Sequence, residues 1–350
     1  MRHTSHRLIL ATLLVSLTSQ PGKAADRGAL QRACFPATSL AALGSEVKPV
    51  KGAIGSAVAP PLTVALATAV PLPAHLRGAI RRVELPKGQK LIALTLDLCE
   101  QPGEVAGYDG PIIDYLRTSG TRATLCTGGK WLMTPAERAQ QLIADPLFEI
   151  GGHGWAHRNM RLLSGQALTD EIVNPERAYR RQRDALAART CAASHSAALA
   201  SIPPRMGLHR FPFGSCNKAA LDAAADNGLL SIQWDLSTGD PAPSQSARAI
   251  ADAMIRNAKP GSIIIAHANG RGHHTAEALP LAIPKLKELG YQFVTVGELL
   301  AAGRPVIAET CYDSRPGDTD KYDFLFSKRP ISPGAQSNGW RPGTTAPVSR

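Results

Sequence analysis

Short runs rich in β-branched and aliphatic residues alternate with helical stretches along the middle of this chain, and that alternation limits the possible folds more than any other feature. The strand-like runs cover 91–97, 122–127, 148–152, 207–211, 229–235, 262–267 and 292–296. Helical periodicity falls near 111–119, 134–145, 167–186, 217–227, 244–257 and 276–289. Strands that alternate with helices pair in parallel through right-handed crossovers, so the expected class is α/β. The first run gives the most detail. In Ala93-Leu94-Thr95-Leu96-Asp97-Leu98 the leucines share one face, and Ala93, Thr95 and Asp97 share the other. Leucines against an outer layer of helices would leave Asp97 at the inner top of a barrel.

Polar groups recur where these strands end: Asp97, the pair His153 and His157, Arg210, the stretch from Trp234 and Asp235 to Asp240, and His267. Parallel α/β barrels gather catalytic groups at the C-terminal ends of their strands, so this placement points to a hydrolytic metal site. His153 and His157 are four residues apart, which on one helical turn would bring both imidazoles to one cation. No HExxH sequence is present, which argues against a zinc peptidase of that type. In His209-Arg210-Phe211-Pro212-Phe213-Gly214 the proline stiffens the backbone after the strand, and a planar guanidinium can clamp a carboxylate. His267 follows Ile263, Ile264, Ile265 and Ala266, at the same station as the other strand ends.

The flanks differ in composition. Residues 1–24 read as an export signal: Arg2 and Arg7 precede an apolar run of about ten residues, and Gly22-Lys23-Ala24 offers a cleavage site. That run falls well short of the roughly 20 residues that span a bilayer. The expected location is therefore periplasmic or secreted, with no stable membrane insertion once the signal is cleaved. Cleavage after Ala24 removes three basic residues and no acid, leaving 36 basic and 28 acidic side chains and a formal charge of +8. That suits an anionic glycan or membrane surface; no nucleic-acid motif accompanies it, and nucleic acid is not an expected partner. Residues 25–85 are rich in Ala, Pro and Gly and read as a partly ordered extension; 86–304 form the barrel; 305–350 read as a polar tail. Six cysteines form an even set in an oxidising compartment, with Cys99 and Cys126 at the ends of adjacent strands. None has CxxC spacing, which speaks against a cysteine zinc site or a thioredoxin-like function.

The order and spacing of these pieces resemble the polysaccharide deacetylase superfamily, carbohydrate esterase family 4. The resemblance runs from about 91 to 300 and rests on Thr95-Leu96-Asp97, Ala123 through Trp131, Glu149 through His153, Arg210 through Gly214, Gln233-Trp234-Asp235 and Pro260 through His267. It implies a distorted (β/α) barrel of about seven parallel strands and an enzyme that removes N-acetyl groups from a glycan. By the same resemblance Asp97 would be the general base, His267 the general acid with Asp240 tuning it, and Arg210 the group orienting Asp97. His153 and His157 would hold a divalent metal, with zinc the expected ion; Phe213, through its backbone N–H, and Trp234 would contact substrate. The same residues would serve an O-acetyl esterase, and a catalytically silent glycan-binding barrel is the reading from another class. The chain departs from the family at two places. Leu98 stands where the family has a metal-binding aspartate, and Gly154 where it often has Ser or Thr. Glu100, Asp109 or additional water are the candidate replacements for the missing ligand. The loops 99–110, 187–204 and 268–275 are the expected walls of the groove.

Overall fold

The structure, a computed structural model, describes residues 21–52, 66 and 68–327. Most of the expected signal segment, and the tail beyond 327, lie outside the described residues. The strands are β1 (Val50–Lys51), β2 (Ala79–Glu84), β3 (Leu91–Leu98), β4 (Glu104–Val105), β5 (Ala123–Thr127), β6 (Phe148–Gly152), β7 (Leu208–His209), β8 (Leu230–Ile232), β9 (Leu236–Ser237), β10 (Ile263–His267), β11 (Gln292–Phe293) and β12 (Arg304–Ala308). The helices are α1 (Pro21–Cys34), α2 (Ala37–Leu40), α3 (Gly110–Thr118), α4 (Gly129–Met133), α5 (Ala136–Ala144), α6 (Gly165–Ala187), α7 (Ser196–Ser201), α8 (Lys218–Asp226), α9 (Ala247–Asn257), α10 (Thr275–Glu288), α11 (Val296–Ala302) and α12 (Lys321–Ser327).

Strands β3, β5, β6, β7, β8, β10 and β11 answer to the seven runs expected from sequence, and all of their pairings with one another are parallel. The main sheet runs β12-β2-β8-β7-β6-β5-β3-β10-β9, with β11 added beside β3. The result is a distorted, mostly parallel α/β barrel. Its irregular closure lies between β2 and β10. There Val83 donates its N–H to the Gly261 carbonyl at 2.9 Å, and Arg82 bridges to Ser262. A Cβ on Gly261, whose φ is +85°, would stand 1.7 Å from the Val83 carbonyl oxygen, so this approach needs glycine.

Alternation along β3 sorts the core as its sequence predicts. Leu94, Leu96 and Leu98 are fully buried in the cluster formed with α3 and α10, beside Ile112, Leu116 and Ile283. Ala93 faces inward, in a second cluster with Ile80, Ile232, Ile263 and Ile265. Each buried leucine contributes roughly 1.5–3 kcal/mol, so a one-residue register slip, which would carry Asp97 into the helical layer, is strongly disfavoured.

The fold extends beyond the boundaries drawn from sequence at both ends. β2 lies parallel to β8, and β12 pairs antiparallel with β2, so residues assigned to the extension and the tail belong to the sheet. The arm before β2 is also docked, not partly ordered, over 26–52. Leu30 and Phe35 are buried, and Arg27 donates to the carbonyls of Ile143 and Asp145 at 2.8 and 2.7 Å. Cys34 is bonded to Cys191, after α6, and Cys216 to Cys311, after β12; Cys99 and Cys126 are free. Farther along, Arg138 pairs with Glu46, and β1 pairs with β4. The arm thus reaches from the helix-to-strand end of the barrel to the strand-to-helix loops. The segment 187–204 joins α6 to β7 and so runs at the end opposite the catalytic loops. It is not a wall of the groove. Among the described residues no helix is long and apolar enough to cross a membrane.

Candidate active site

The parallel register places the functional side chains side by side. Asp97 is the partner of His267 on β10 and of Cys126 on β5. Thr127 pairs with Gly152 and Gly152 with His209, so His153 and Arg210 emerge at the same level one and two strands further on. Neighbouring strands lie about 4.8 Å apart, which brings groups distant in sequence within contact range.

Asp97 is buried and held from two sides. Arg210 Nη1 donates to its Oδ1 at 2.8 Å, and His153 Nε2 lies 3.3 Å from its Oδ2. Burial opposes ionisation, but the Arg210 charge and hydrogen bond, with the charge of His267, hold its pKa below the usual carboxylate range. Arg210, permanently charged, secures that outcome. Its other nitrogens donate to the carbonyls of Ile232 and Gln233 at 3.4 and 3.3 Å. The Trp234 ring lies 5.4 Å from the guanidinium carbon. Trp234 is itself buried and donates Nε1–H to Asp313 Oδ1 at 2.8 Å. It backs Arg210 and does not present a face to solvent, contrary to the substrate contact expected of it.

His153 and His157 come together, with ring centroids 4.9 Å apart, though not on a helical turn. The segment is a loop, and Gly154 and His157 carry φ values of +75° and +53°. Spacing of four residues therefore works here through two left-handed backbone positions. The loop is pinned by the buried Glu171 of α6, whose Oε2 accepts from the N–H of Ala156 at 3.1 Å and of Arg158 at 3.5 Å. Gly129 and Lys130 donate their N–H groups to the carbonyls of Gly154 and Trp155, both at 2.9 Å. His153 Nδ1 is 2.9 Å from the Arg210 carbonyl, which fixes Nδ1 as the protonated nitrogen and leaves the Nε2 lone pair for a ligand. Burial keeps both imidazoles neutral, with their pKa values lowered, as metal ligation requires. His157 Nδ1 is buried with no hydrogen-bond partner. Phe213, at φ +62°, stacks edge-on against His157 at 4.4 Å, and Tyr322 of α12 lies 5.2 Å behind it.

His267 is held by Asp240 through Nδ1 at 2.9 Å and through its own N–H at 2.8 Å, and Thr275 Oγ1 donates to the same carboxylate at 2.7 Å. Desolvation lowers the His267 pKa, but the Asp240 charge and hydrogen bond outweigh it, and the net direction is upward. The imidazolium therefore persists to higher pH than a free histidine would allow.

Neither expected replacement for the missing carboxylate joins the histidines. Glu100 is fully buried, 3.2 Å from Lys130 Nζ, and accepts from the Ala106 N–H. Asp109, with its pKa pushed up to about 6 by burial, has Glu277 and Asp240 as its electrostatic neighbours. Leu98 points into the helical core. Among the described residues the one convergence of three metal-ligating side chains is Cys99, His153 and His157, whose donor atoms lie within 4.8 Å of one another. A tetrahedral ion with bonds of ~2.0–2.3 Å separates its donors by roughly 3.5 Å, so the three donors must draw together to share one ion. The donor chemistry and the unpartnered His157 Nδ1 fit a divalent ion. Sequence reasoning missed Cys99, although the alternation that places Asp97 inward also places the residue two further on. It also missed Glu171 and Tyr322, which act through loop support and have no local signal. A cavity of about 360 Å³ between α9 and α10, bordered by Arg248 and Leu281, is remote from this site.

Comparison with known proteins agrees with the geometry. The polysaccharide deacetylase family model matches residues 84–232. The peptidoglycan-N-acetylglucosamine deacetylase of Bacillus cereus is 27% identical over 221 residues, 62% of this chain and 91% of that protein. The corresponding Listeria monocytogenes enzyme is 26% identical over 228 residues, 64% of this chain but 42% of its own length. Among solved structures, a mutant of a Bacillus anthracis carbohydrate esterase family 4 pseudoenzyme, with restored enzymatic activity, superposes with a TM-score of 0.52 at 25% identity. That superposition covers 65% of this chain and 73% of the other. The strand-end constellation, the family match over 84–232 and the relatives agree: the chain is similar to the polysaccharide deacetylase superfamily, carbohydrate esterase family 4.

Proposed function

We propose that this protein is an exported, metal-dependent hydrolase that removes N-acetyl groups from a glycan of the cell wall or envelope, releasing acetate and a free amino sugar. The observation that carries the reading is the convergence of an ionised carboxylate, a carboxylate-backed imidazolium and two neutral imidazoles at adjacent strand ends. Asp97 Oδ2 takes a proton from the attacking water, while Arg210 keeps the carboxylate ionised and oriented. Water oxygen bonds to the acetyl carbon. The carbon–nitrogen bond then breaks as His267 gives its Nε2 proton to the leaving amine, its Nδ1 remaining on Asp240. The backbone N–H of Phe213 supplies a donor toward the developing oxyanion. His153 and His157 hold the divalent ion, for which zinc is the expected identity. When bound, such an ion polarises the acetyl carbonyl and lowers the pKa of water from about 15.7 toward 7.

Two disulfides, each joining a flank to the barrel, support an oxidising compartment, periplasmic or extracellular. The names of the Bacillus cereus and Listeria monocytogenes relatives favour peptidoglycan as the substrate class. The test is acetate release from N-acetylglucosamine oligomers and from peptidoglycan, with and without chelator. Chelator-sensitive release that Asp97→Asn and His267→Ala each reduce by about 10²–10⁴-fold is expected. Wild-type activity in both variants would overturn the assigned roles.

A further inference from the structure

We propose that the thiolate of Cys99 completes the metal site with His153 and His157, and that this Cys–His–His set selects a borderline-soft ion, zinc or cobalt, over magnesium, calcium or manganese. The inference rests on reading the site as a metal centre and adds the ligand which that reading leaves open.

Strand geometry is the first argument. Asp97 and Cys99 lie two residues apart on the inner face of β3 and its continuation, whereas Leu98 is committed to the helical core. A carboxylate in place of Leu98 would leave that core, and the inward station nearest Asp97 is occupied by a sulfur. The second argument is elimination among neighbouring carboxylates. Asp97 is engaged by Arg210 at one oxygen and faces His153 with the other; Glu100 is tied to Lys130; Asp109 lies toward Asp240 and Glu277. The third is outer support. Asn269, from the loop after β10, donates Nδ2–H to Cys99 Sγ at 3.2 Å and to the Cys99 carbonyl at 2.9 Å. A hydrogen bond to the sulfur fixes its orientation, the part that outer-shell groups play around bound metals.

A thiolate carries the same single negative charge as the carboxylate it replaces, so the charge balance of the site is retained. Its softness differs. Sulfur and imidazole donors suit zinc and cobalt, whereas magnesium, calcium and manganese favour oxygen. Three protein donors leave a fourth position open, the arrangement of catalytic zinc sites.

The test loads the full chain with cobalt(II) and records its absorption, together with metal stoichiometry by elemental analysis. One cobalt per chain and a near-ultraviolet sulfur-to-cobalt charge-transfer band are expected. Cys126→Ser should keep the band. Cys99→Ser should lose it and weaken cobalt binding by at least ~10-fold, since loss of even an outer partner costs 10–100-fold. Cys99→Asp should bind one metal without the band and shift preference toward manganese. Cobalt bound by the wild type without the band, a band lost in Cys126→Ser instead, or a disulfide between Cys99 and Cys126 would overturn the Cys99 assignment while leaving a metal centre standing. No metal in the wild type under any loading condition would overturn both. The wild-type spectrum decides the matter even if a variant fails to fold.

Discussion

For His267 to serve as an acid it must remain protonated at the pH where Asp97 is ionised, and the two side chains reach those states by opposite means. Arg210 stabilises charge on Asp97; Asp240 stabilises charge on His267. The sign of each shift fixes a limb of the pH profile. Asp97 has a lowered pKa, so activity should rise with pH at a point below the usual carboxylate range; His267 has a raised pKa, so activity should fall only above the ordinary histidine range. Asp240→Asn removes the charge that outweighs desolvation. The alkaline limb of kcat/KM should then move to lower pH, with kcat reduced roughly 10–100-fold, within what one acid–base partner contributes. An unmoved alkaline limb in that variant would show that His267 is not the acid.

At the scale of the element, two segments of α6 determine how the site is held and how the fold responds to pH. Gly154 ends the reach of Glu171 into the histidine loop. A Cβ there would lie 3.0 Å from Glu171 Oε2, 3.1 Å from Met160 Cε and 3.3 Å from Pro212 Cγ, at a φ of +75°. Gly154→Ala should cost about 1–3 kcal/mol, read from urea unfolding, and weaken metal binding as His153 and His157 separate. One further turn along α6, Glu176 is buried, accepts from the Met206 N–H at 3.0 Å and stands 3.7 Å from Arg205. Burial pushes its pKa from 4.5 up to about 7. A carboxyl that binds its proton more tightly when folded stabilises the fold below pH 4.5, and that contribution is lost as pH rises through 7. The linked loss is on the order of 3 kcal/mol. Glu176→Gln keeps an acceptor for Met206, so its stability should decline less than that of wild type between pH 5 and pH 8. Parallel declines in the two proteins would refute the linkage.

These elements also show what was legible in the sequence. Period-two alternation along β3 located the inner face, and the strand-end rule then found Asp97, Arg210 and His267. The same alternation extends to Cys99, but that residue lies one position past the end of β3, where strand periodicity no longer fixes which way a side chain faces. His153 and His157 were read as neighbours through helical spacing, whereas two left-handed residues bring them together. β2 and β12 went unread because prolines and charged residues surround them and their pairing is with each other, across 220 residues, and with β8. Nonlocal pairing of short strands leaves no local trace.

For the whole molecule, the disulfides join flank to barrel at opposite ends, and their consequences should differ. Cys34–Cys191 fastens α1 to the segment after α6, at the helix-to-strand end, and closes a separation of 157 residues. Cys216–Cys311 lies just beyond Phe213 and closes 95 residues. The chain that follows Cys311 supplies Asp313, which holds Trp234 behind Arg210, and Tyr322, which backs Phe213 against His157. Either staple should stabilise the fold by about 2–5 kcal/mol through restriction of the unfolded chain. The paired Cys34→Ala and Cys191→Ala substitutions should therefore lower the unfolding midpoint yet leave kcat within about twofold at temperatures where the protein stays folded. The paired Cys216→Ala and Cys311→Ala substitutions should lower both, because release of the C-terminal segment loosens the supports of Arg210 and of the histidine loop. Urea unfolding alongside acetate release separates the cases. Equal loss of activity in the two variants would mean that the C-terminal segment acts on the site only through global stability, and that the Asp313 and Tyr322 contacts do not position it.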